Sequence, residues 1–270
     1  GLVTEAEDPA LVAWIQLHQF RLLVEGHSMK ALTAMIPLLR RLVIRAGDAQ
    51  ITAYLHMCIA VLEGETGHLD EGTRHSEIAE SILEQSDNSS LRSANLVNQG
   101  CLAVLKGDIE RATNAFHLSK RLTQKTGDPF IASRADGNLA HMHLFRGELK
   151  EALALFERTL RDRTFGKLGE VGALDGLARV HLAAGDFDAC EACLREIELY
   201  KAGYDGHSSM YHVRWAGLTK ARLLVRNNKY EEASDLLLKL QRDAMGLNDT
   251  AFDVGLSLTL ALVCARLSKC

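Results

Sequence analysis

The sequence predicts an all-α solenoid of about six helical hairpins plus a partial C-terminal unit, and three observations predict it. The first is a signature repeated six times: a Gly or Asn, an apolar residue two positions later, and a small residue five positions later. The anchors are Gly26, Gly67, Gly107, Gly147, Gly185 and Asn228. The apolar followers are Leu69, Ile109, Leu149, Phe187 and Tyr230; the first unit has Ser28 there, with Met29 beside it. The small residues are Ala31, Gly72, Ala112, Ala152, Cys190 and Ala233. Successive anchors lie 41, 40, 40, 38 and 43 residues apart, and a fixed period in this range marks stacked repeats that cover one another's apolar faces. The second observation is composition: 270 residues, 47% hydrophobic, with only 3 prolines and 6% aromatics, a balance that favours helix. The third is the lack of any period-2 alternation, the mark of strands.

Taken in order, the helix starts and stops agree with this division. Asp8-Pro9, Gly47-Asp48, Gly127-Asp128 and Asn248-Asp249 each place an Asp where a helix N-cap is needed, with Gly ending the preceding helix at two of them. Polar joints are expected at Ser86 to Ser90 and at Ala202 to Ser209. In the fourth unit, Asp128 caps a first helix that has Pro129 at its first position. That helix carries Ile131, Ala135, Leu139, Met142 and Leu144, and stops at Arg146-Gly147. A second helix then presents Leu149, Ala152, Leu153, Leu155, Phe156 and Leu160 at 3- and 4-residue spacing. The small residue after each turn allows two helices to cross closely, and Phe116, Phe156, Leu194 and Leu237, four positions further on, fill the adjoining core. Gly169, Gly172 and Gly176 fit no phosphate-loop spacing and are expected where helices approach closely.

The net charge is −4 and the pI near 6.3, so no general attraction to nucleic acid or anionic membrane follows. Six scattered cysteines, Cys58, Cys101, Cys190, Cys193, Cys264 and Cys270, read as free thiols in a reducing, cytoplasmic compartment. Cys190 and Cys193 share a helix face, but no second pair follows at zinc spacing, and Cys190 falls on the small packing position; a buried core thiol is expected. His141 and His143, two apart on a helix, point in different directions and make a poor chelating pair. No signal peptide is evident. The most apolar run, Val254 to Ala265, falls short of the roughly 18 residues of a membrane span and is expected to form a buried helix. The abrupt ends, without a polar capping helix, suggest one solenoid domain over residues 1–270 cut from a longer protein.

Asn138-Leu139-Ala140-His141-Met142-His143-Leu144-Phe145-Arg146-Gly147-Glu148-Leu149-Lys150-Glu151-Ala152 resembles the core of a tetratricopeptide repeat, and Gly176-Leu177-Ala178 through Gly185-Asp186-Phe187 resembles it nearly as well. The resemblance implies a right-handed α-α superhelix. The units here are longer than the usual repeat of about 34 residues. In that respect the chain resembles the superhelical sensor domain of the maltose-regulon activator and related large bacterial transcription regulators. Similar arrays sit beside enhancer-dependent sigma-factor activator modules and in peptide-pheromone receptors.

The resemblance also implies a concave groove lined by the first helix of each unit, at positions thirteen, ten and six before the anchor. Six before lie Phe20, Val61, Cys101, His141, Arg179 and Arg222; ten before lie Gln16, Met57, Val97, Gly137, Asp175 and Leu218; thirteen before lie Ala13, Tyr54, Ala94, Arg134, Gly172 and Trp215. The candidate site is therefore Arg134, His141, Asp175, Arg179, Trp215 and Arg222, with Asn138 adjacent. Either these residues form a partly cationic pocket for a carboxylate, phosphate or sugar, since arginine suits planar anions, or they are solvated charges paired with Asp175 and acids on the next helix. The Lys and Asn of the C-terminal carboxylate clamp are not matched. The function expected is binding of a protein, peptide or small ligand, as the sensor or interaction domain of a bacterial signalling or transcription regulator. The alternative is a structural oligomerisation scaffold that self-associates through its C-terminal helices. No catalytic constellation, metal set or cofactor motif appears, and neither nucleic acid nor membrane is an expected partner.

Overall fold

Aspartate carboxylates start the first helices as the sequence predicts. The backbone N–H of Leu11 donates to Asp8 at 2.9 Å, that of Ile51 to Asp48 at 2.9 Å, that of Ile131 to Asp128 at 3.1 Å and that of Phe252 to Asp249 at 3.0 Å. Each bond satisfies one of the N–H groups that a helix start leaves without an internal partner. The structure, a computed structural model, describes residues 8–26, 29–162, 166–202, 211–245 and 249–268. The first-unit signature residue Ser28, most of the joint expected at Ala202 to Ser209, Asn248 and Cys270 lie outside the described residues.

The described residues form thirteen α-helices and no strand. The first helices of the hairpins are α1 (Pro9–Gly26), α3 (Ala49–Glu65), α5 (Ser89–Leu105), α7 (Pro129–Phe145), α9 (Gly166–Ala184) and α11 (Tyr211–Arg226). Their partners are α2 (Met29–Ala46), α4 (Leu69–Glu84), α6 (Ile109–Thr126), α8 (Leu149–Asp162), α10 (Phe187–Ala202) and α12 (Tyr230–Ala244). A last helix, α13 (Thr250–Leu267), follows α12 as the first helix of a further unit. The joint expected at Ser86 to Ser90 is shorter than the sequence suggests, because Asn88 caps α5 by accepting from the Leu91 N–H at 2.9 Å and so draws Ser89 and Ser90 into the helix.

The anchors Gly67, Gly107, Gly147, Gly185 and Asn228 turn the chain by adopting left-handed backbone, whereas Gly26 is the last residue of α1. Gly147 has φ of +76° and Asn228, which does the same work with a side chain, has φ of 59°. That conformation is open to Gly and tolerated by Asn, and closed to most other residues.

Packing falls into two compact halves, Gly1–Ala135 and Asp136–Cys270, with the division inside α7. In the first half Leu17, Phe20, Leu39, Ile51, Met57 and Leu83 form the core. In the second, Leu174, Cys190 and Leu194 make one cluster, Ala152 and Phe156 another, and Leu237, Phe252 and Val263 a third. The small packing positions Gly72, Ala112, Ala152, Cys190 and Ala233 are buried, as are the fillers Phe116, Phe156, Leu194 and Leu237. Cys190 is thus a core residue.

Helix α13 departs from expectation twice. Its 18 residues make it the one described helix long and apolar enough to cross a membrane, so apolar character extends beyond Val254 to Ala265. It is also buried on one side only. Phe252, Leu256, Thr259 and Val263 pack inward, while Val254 (54% exposed), Leu258 (68%) and Leu262 (46%) face out. The inward stripe follows the i, i+3 and i, i+4 spacing that packs it on α11 and α12, which leaves the opposite stripe of an all-round apolar helix without cover.

Candidate functional site

The candidate residues divide between the halves. Arg134 belongs to the first, where its guanidinium acts electrostatically on Cys101. Asn138, part-buried on α7, is engaged in an interaction of its own. The remaining five, His141, Asp175, Arg179, Trp215 and Arg222, fall in the second half and are interlinked there.

Arg179 is the centre of that group. Its guanidinium lies over the Phe145 ring, 6.0 Å from the centroid, and acts on His141, Asp175 and Arg222. Neither Arg179 nor Arg222 has a salt bridge among the described residues; Arg222 makes one long hydrogen bond, Nε to Thr259 Oγ1 at 3.5 Å. Burial lowers the pKa of Arg222, and the charge of Arg179 lowers it further, with Asp175 pulling the other way. Two like charges therefore stand near each other, half-sheltered from solvent and incompletely compensated.

Asp175 lies beneath this face, 5% exposed, and accepts a 2.6 Å hydrogen bond from Thr219 Oγ1. Burial pushes its carboxyl up against the opposing pull of Arg179, the Thr219 bond and Arg222. Of the positions ten before the anchor, Met57, Val97, Asp175 and Leu218 are buried, whereas Gln16 and Gly137 are part-exposed. Asp175 is therefore a buried charge next to Arg179 and Arg222.

His141 sits edge-on to Phe156, with 4.9 Å between centroids. Burial first, then Arg179 and His212, hold its imidazole well below the usual range, so it is neutral. Its Nδ1 is buried without a hydrogen-bond partner among the described residues, as is the indole nitrogen of Trp215. Trp215 packs edge-on against Phe252 at 5.6 Å and forms a wall of the cluster.

Four residues that the sequence reading passed over complete the cluster. Phe145 is 49% exposed and offers the aromatic face beneath Arg179; it lies two before Gly147, one turn beyond His141 on α7. Thr219 and Thr259 supply the hydroxyls, and Thr219 lies four after Trp215, on the same side of α11. His212 lies over Gly172, where an added Cβ would meet its Cε1 at 3.0 Å, and burial lowers its pKa to about 4. Gly176 likewise sits under Phe156, with a Cβ-to-ring distance of 2.3 Å. The close approaches expected at Gly172 and Gly176 are therefore present. The described residues hold no group of three potential metal ligands.

The arrangement can hold an anion through two guanidiniums and present an exposed aromatic ring beside it. A family profile described as Tetratricopeptide repeat matches residues 133–158 and 171–196, which span α7 with α8 and α9 with α10. A crystal structure of NprR in complex with its cognate peptide NprX has a TM-score of 0.71 at 15% identity, covering 97% of this chain and 74% of that one. The apo form of the quorum sensor NprR from B. thuringiensis has a TM-score of 0.63 at 14% identity, covering 94% and 70%. Aspartyl phosphate phosphatase F from Bacillus subtilis has a TM-score of 0.59 at 11% identity, covering 93% and 69%. No curated protein matches by sequence. At these identities the likenesses show the fold.

Proposed function

We propose, from the tetratricopeptide-like fold and the two stretches that match the repeat profile, that the chain is a peptide- or protein-binding module of a bacterial regulator. The first helices of its C-terminal half receive an acidic segment of the partner. The observation that carries this reading is the Arg179 and Arg222 pair: two part-buried guanidiniums, near one another, with no salt bridge among the described residues. Arginines that serve only stability are ordinarily paired when buried. Here the carboxylate that acts on Arg222, Asp175, is itself pushed toward its neutral form, which leaves net positive charge for a ligand to neutralise. Phe145 adds an apolar platform beside that charge.

The likeness to NprR, one structure of which holds a cognate peptide, supports a peptide as the partner. The long hairpins support the finer assignment to sensor domains of transcription regulators in the cytoplasm. In this role the module binds and does not catalyse. An array of seven-residue peptides, scanned at each position with Glu, Gln and Lys, tests the reading. Acid-containing peptides are expected to be retained, and Arg179→Glu with Arg222→Glu to abolish retention at unchanged helicity. Equal retention by the double variant would sink it.

A second reading, self-association, is favoured by the outward stripe Val254, Leu258 and Leu262 on α13. Sedimentation of the chain and of its Leu258→Glu variant tests it: a dimer that the variant dissociates supports self-association, and a monomer in both removes it.

A further inference from the structure

Thr219 has one hydroxyl hydrogen and two acceptors within reach: Asp175 Oδ1 at 2.6 Å and the Trp215 backbone carbonyl at 3.2 Å. When Asp175 is ionised, the hydrogen goes to its carboxylate. When Asp175 is protonated, the carboxyl O–H donates to Thr219 Oγ1, and the hydroxyl hydrogen turns to the Trp215 carbonyl. Both states give the carboxyl and the hydroxyl a partner, so a proton can come or go beneath the face without repacking.

We propose that Asp175 and Thr219 make the anion site at Arg179 and Arg222 proton-coupled, so that a monoanion binds together with one proton taken from solvent onto Asp175. This rests on the reading of that face as an anion-binding surface. With Asp175 ionised, its charge offsets one of the two arginines and repels the arriving anion. With Asp175 protonated, both guanidiniums act on the ligand. The anion in turn cancels the positive field that had favoured the carboxylate, so binding draws the proton in. The reaction balances as carboxylate, proton and anion giving a neutral carboxyl beside the bound anion. The ligand class that follows is a carboxylate of a peptide, as an acidic side chain or a chain terminus.

The groups facing Asp175 leave it as the proton acceptor. Arg179 stands on its own helix α9, and Arg222 and Thr219 on α11. On α10 the Cys190 thiol, pushed up to about 12 by burial first and then by Cys193 and Asp175, stays protonated. On α7, His141 is held neutral and answers to Arg179 and His212. From α13, Thr259 reaches Arg222. Burial raises the Asp175 carboxyl and so favours its protonated form.

The test uses methanesulfonate, a monoanion that does not itself titrate, with the chain labelled for NMR at the arginine side chains and aspartate carboxyls. As pH is lowered from 8, affinity should strengthen by up to about tenfold per pH unit across the Asp175 transition, as one linked proton requires. At fixed pH the Asp175 carboxyl signal should move toward its protonated position as the anion is added. Asp175→Asn should bind with a flat pH profile. Thr219→Val removes the bond that favours the ionised form, and should move the slope to higher pH. Binding with no pH slope in the parent chain, or an unchanged slope in Asp175→Asn, overturns the coupling and leaves the anion site standing. No binding by the parent chain or Asp175→Asn at any pH overturns the anion reading beneath it.

Discussion

Phe116 of α6 seats its ring directly on Gly100 of α5: a Cβ at that glycine would lie 2.3 Å from the ring's Cε1. Phe156 and Gly176 repeat the relationship in the other half, again at 2.3 Å, although there the ring reaches the first helix of the following hairpin. A methyl group at either glycine must displace a fully packed ring. Gly100→Ala and Gly176→Ala should therefore each destabilise by about 1–3 kcal/mol in denaturant unfolding, the usual range for overpacking. Gly137 has nothing within 4 Å of an added Cβ, so Gly137→Ala should gain up to about 1 kcal/mol from helix propensity. Equal effects at Gly100 and Gly137 would contradict this packing.

The turn anchors make a second contrast. Gly147 holds φ of +76° with open space around it, so Gly147→Ala suffers from backbone strain alone, about 1–2 kcal/mol. Asn228 already occupies the same region at φ of 59°, and Asn228→Gly should leave the melting temperature unchanged or slightly higher. A loss at Asn228→Gly as large as that at Gly147→Ala would show that the Asn side chain, not its backbone, fixes the turn.

Acid should loosen the N-terminal half. His56 and His75 face each other with Nδ1 atoms 2.7 Å apart, so one ring donates and the other accepts, and a proton on both breaks the bond. Burial, then His75 and Arg40, lower His56 to about 4. Burial, Arg40 and Arg74 lower His75, with Glu71 and Glu63 opposing. A folded pKa below the unfolded value means that the contribution is present above the unfolded pKa of about 6.5 and is lost as pH falls from there toward 4. The melting temperature should drop across that window, and His56→Gln should flatten the drop. His141 and His212 in the other half shift in the same direction, so some slope should remain in the variant.

Phe145 separates binding from stability. Half-exposed beneath Arg179, it contributes little to folding, and Phe145→Ala should change stability by no more than about 0.5 kcal/mol, as surface changes usually do. The same variant should weaken retention of acid-containing peptides on the array. Unaltered retention would remove the ring from the binding face.

What was legible in the sequence was local. The aspartate caps, the left-handed anchors and the small residue after each turn depend on neighbours a few positions away, and the pattern carried them, including the assignment of Cys190 to the core. What depended on other helices was not legible. The burial of Asp175 goes with its bond to Thr219 on the next repeat's first helix, which no single repeat encodes. The two-sided character of α13 follows from which helices flank it. Phe145 was passed over because its role depends on Arg179 of the next repeat, 34 positions along the chain. Arg134 shares the register of the site, yet it belongs to the first half, where it acts on Cys101.

The central claim is that Arg179 and Arg222 receive an anionic partner segment. The most direct measurement follows the side-chain NMR signals of both arginines in the full chain while a heptapeptide with one central Glu is titrated in, beside its Gln counterpart. Saturable shifts at both arginines with the Glu peptide, at least tenfold weaker with Gln and absent in Arg179→Glu, are the predicted result. Equal shifts with Glu and Gln, or shifts that persist in Arg179→Glu, would contradict it.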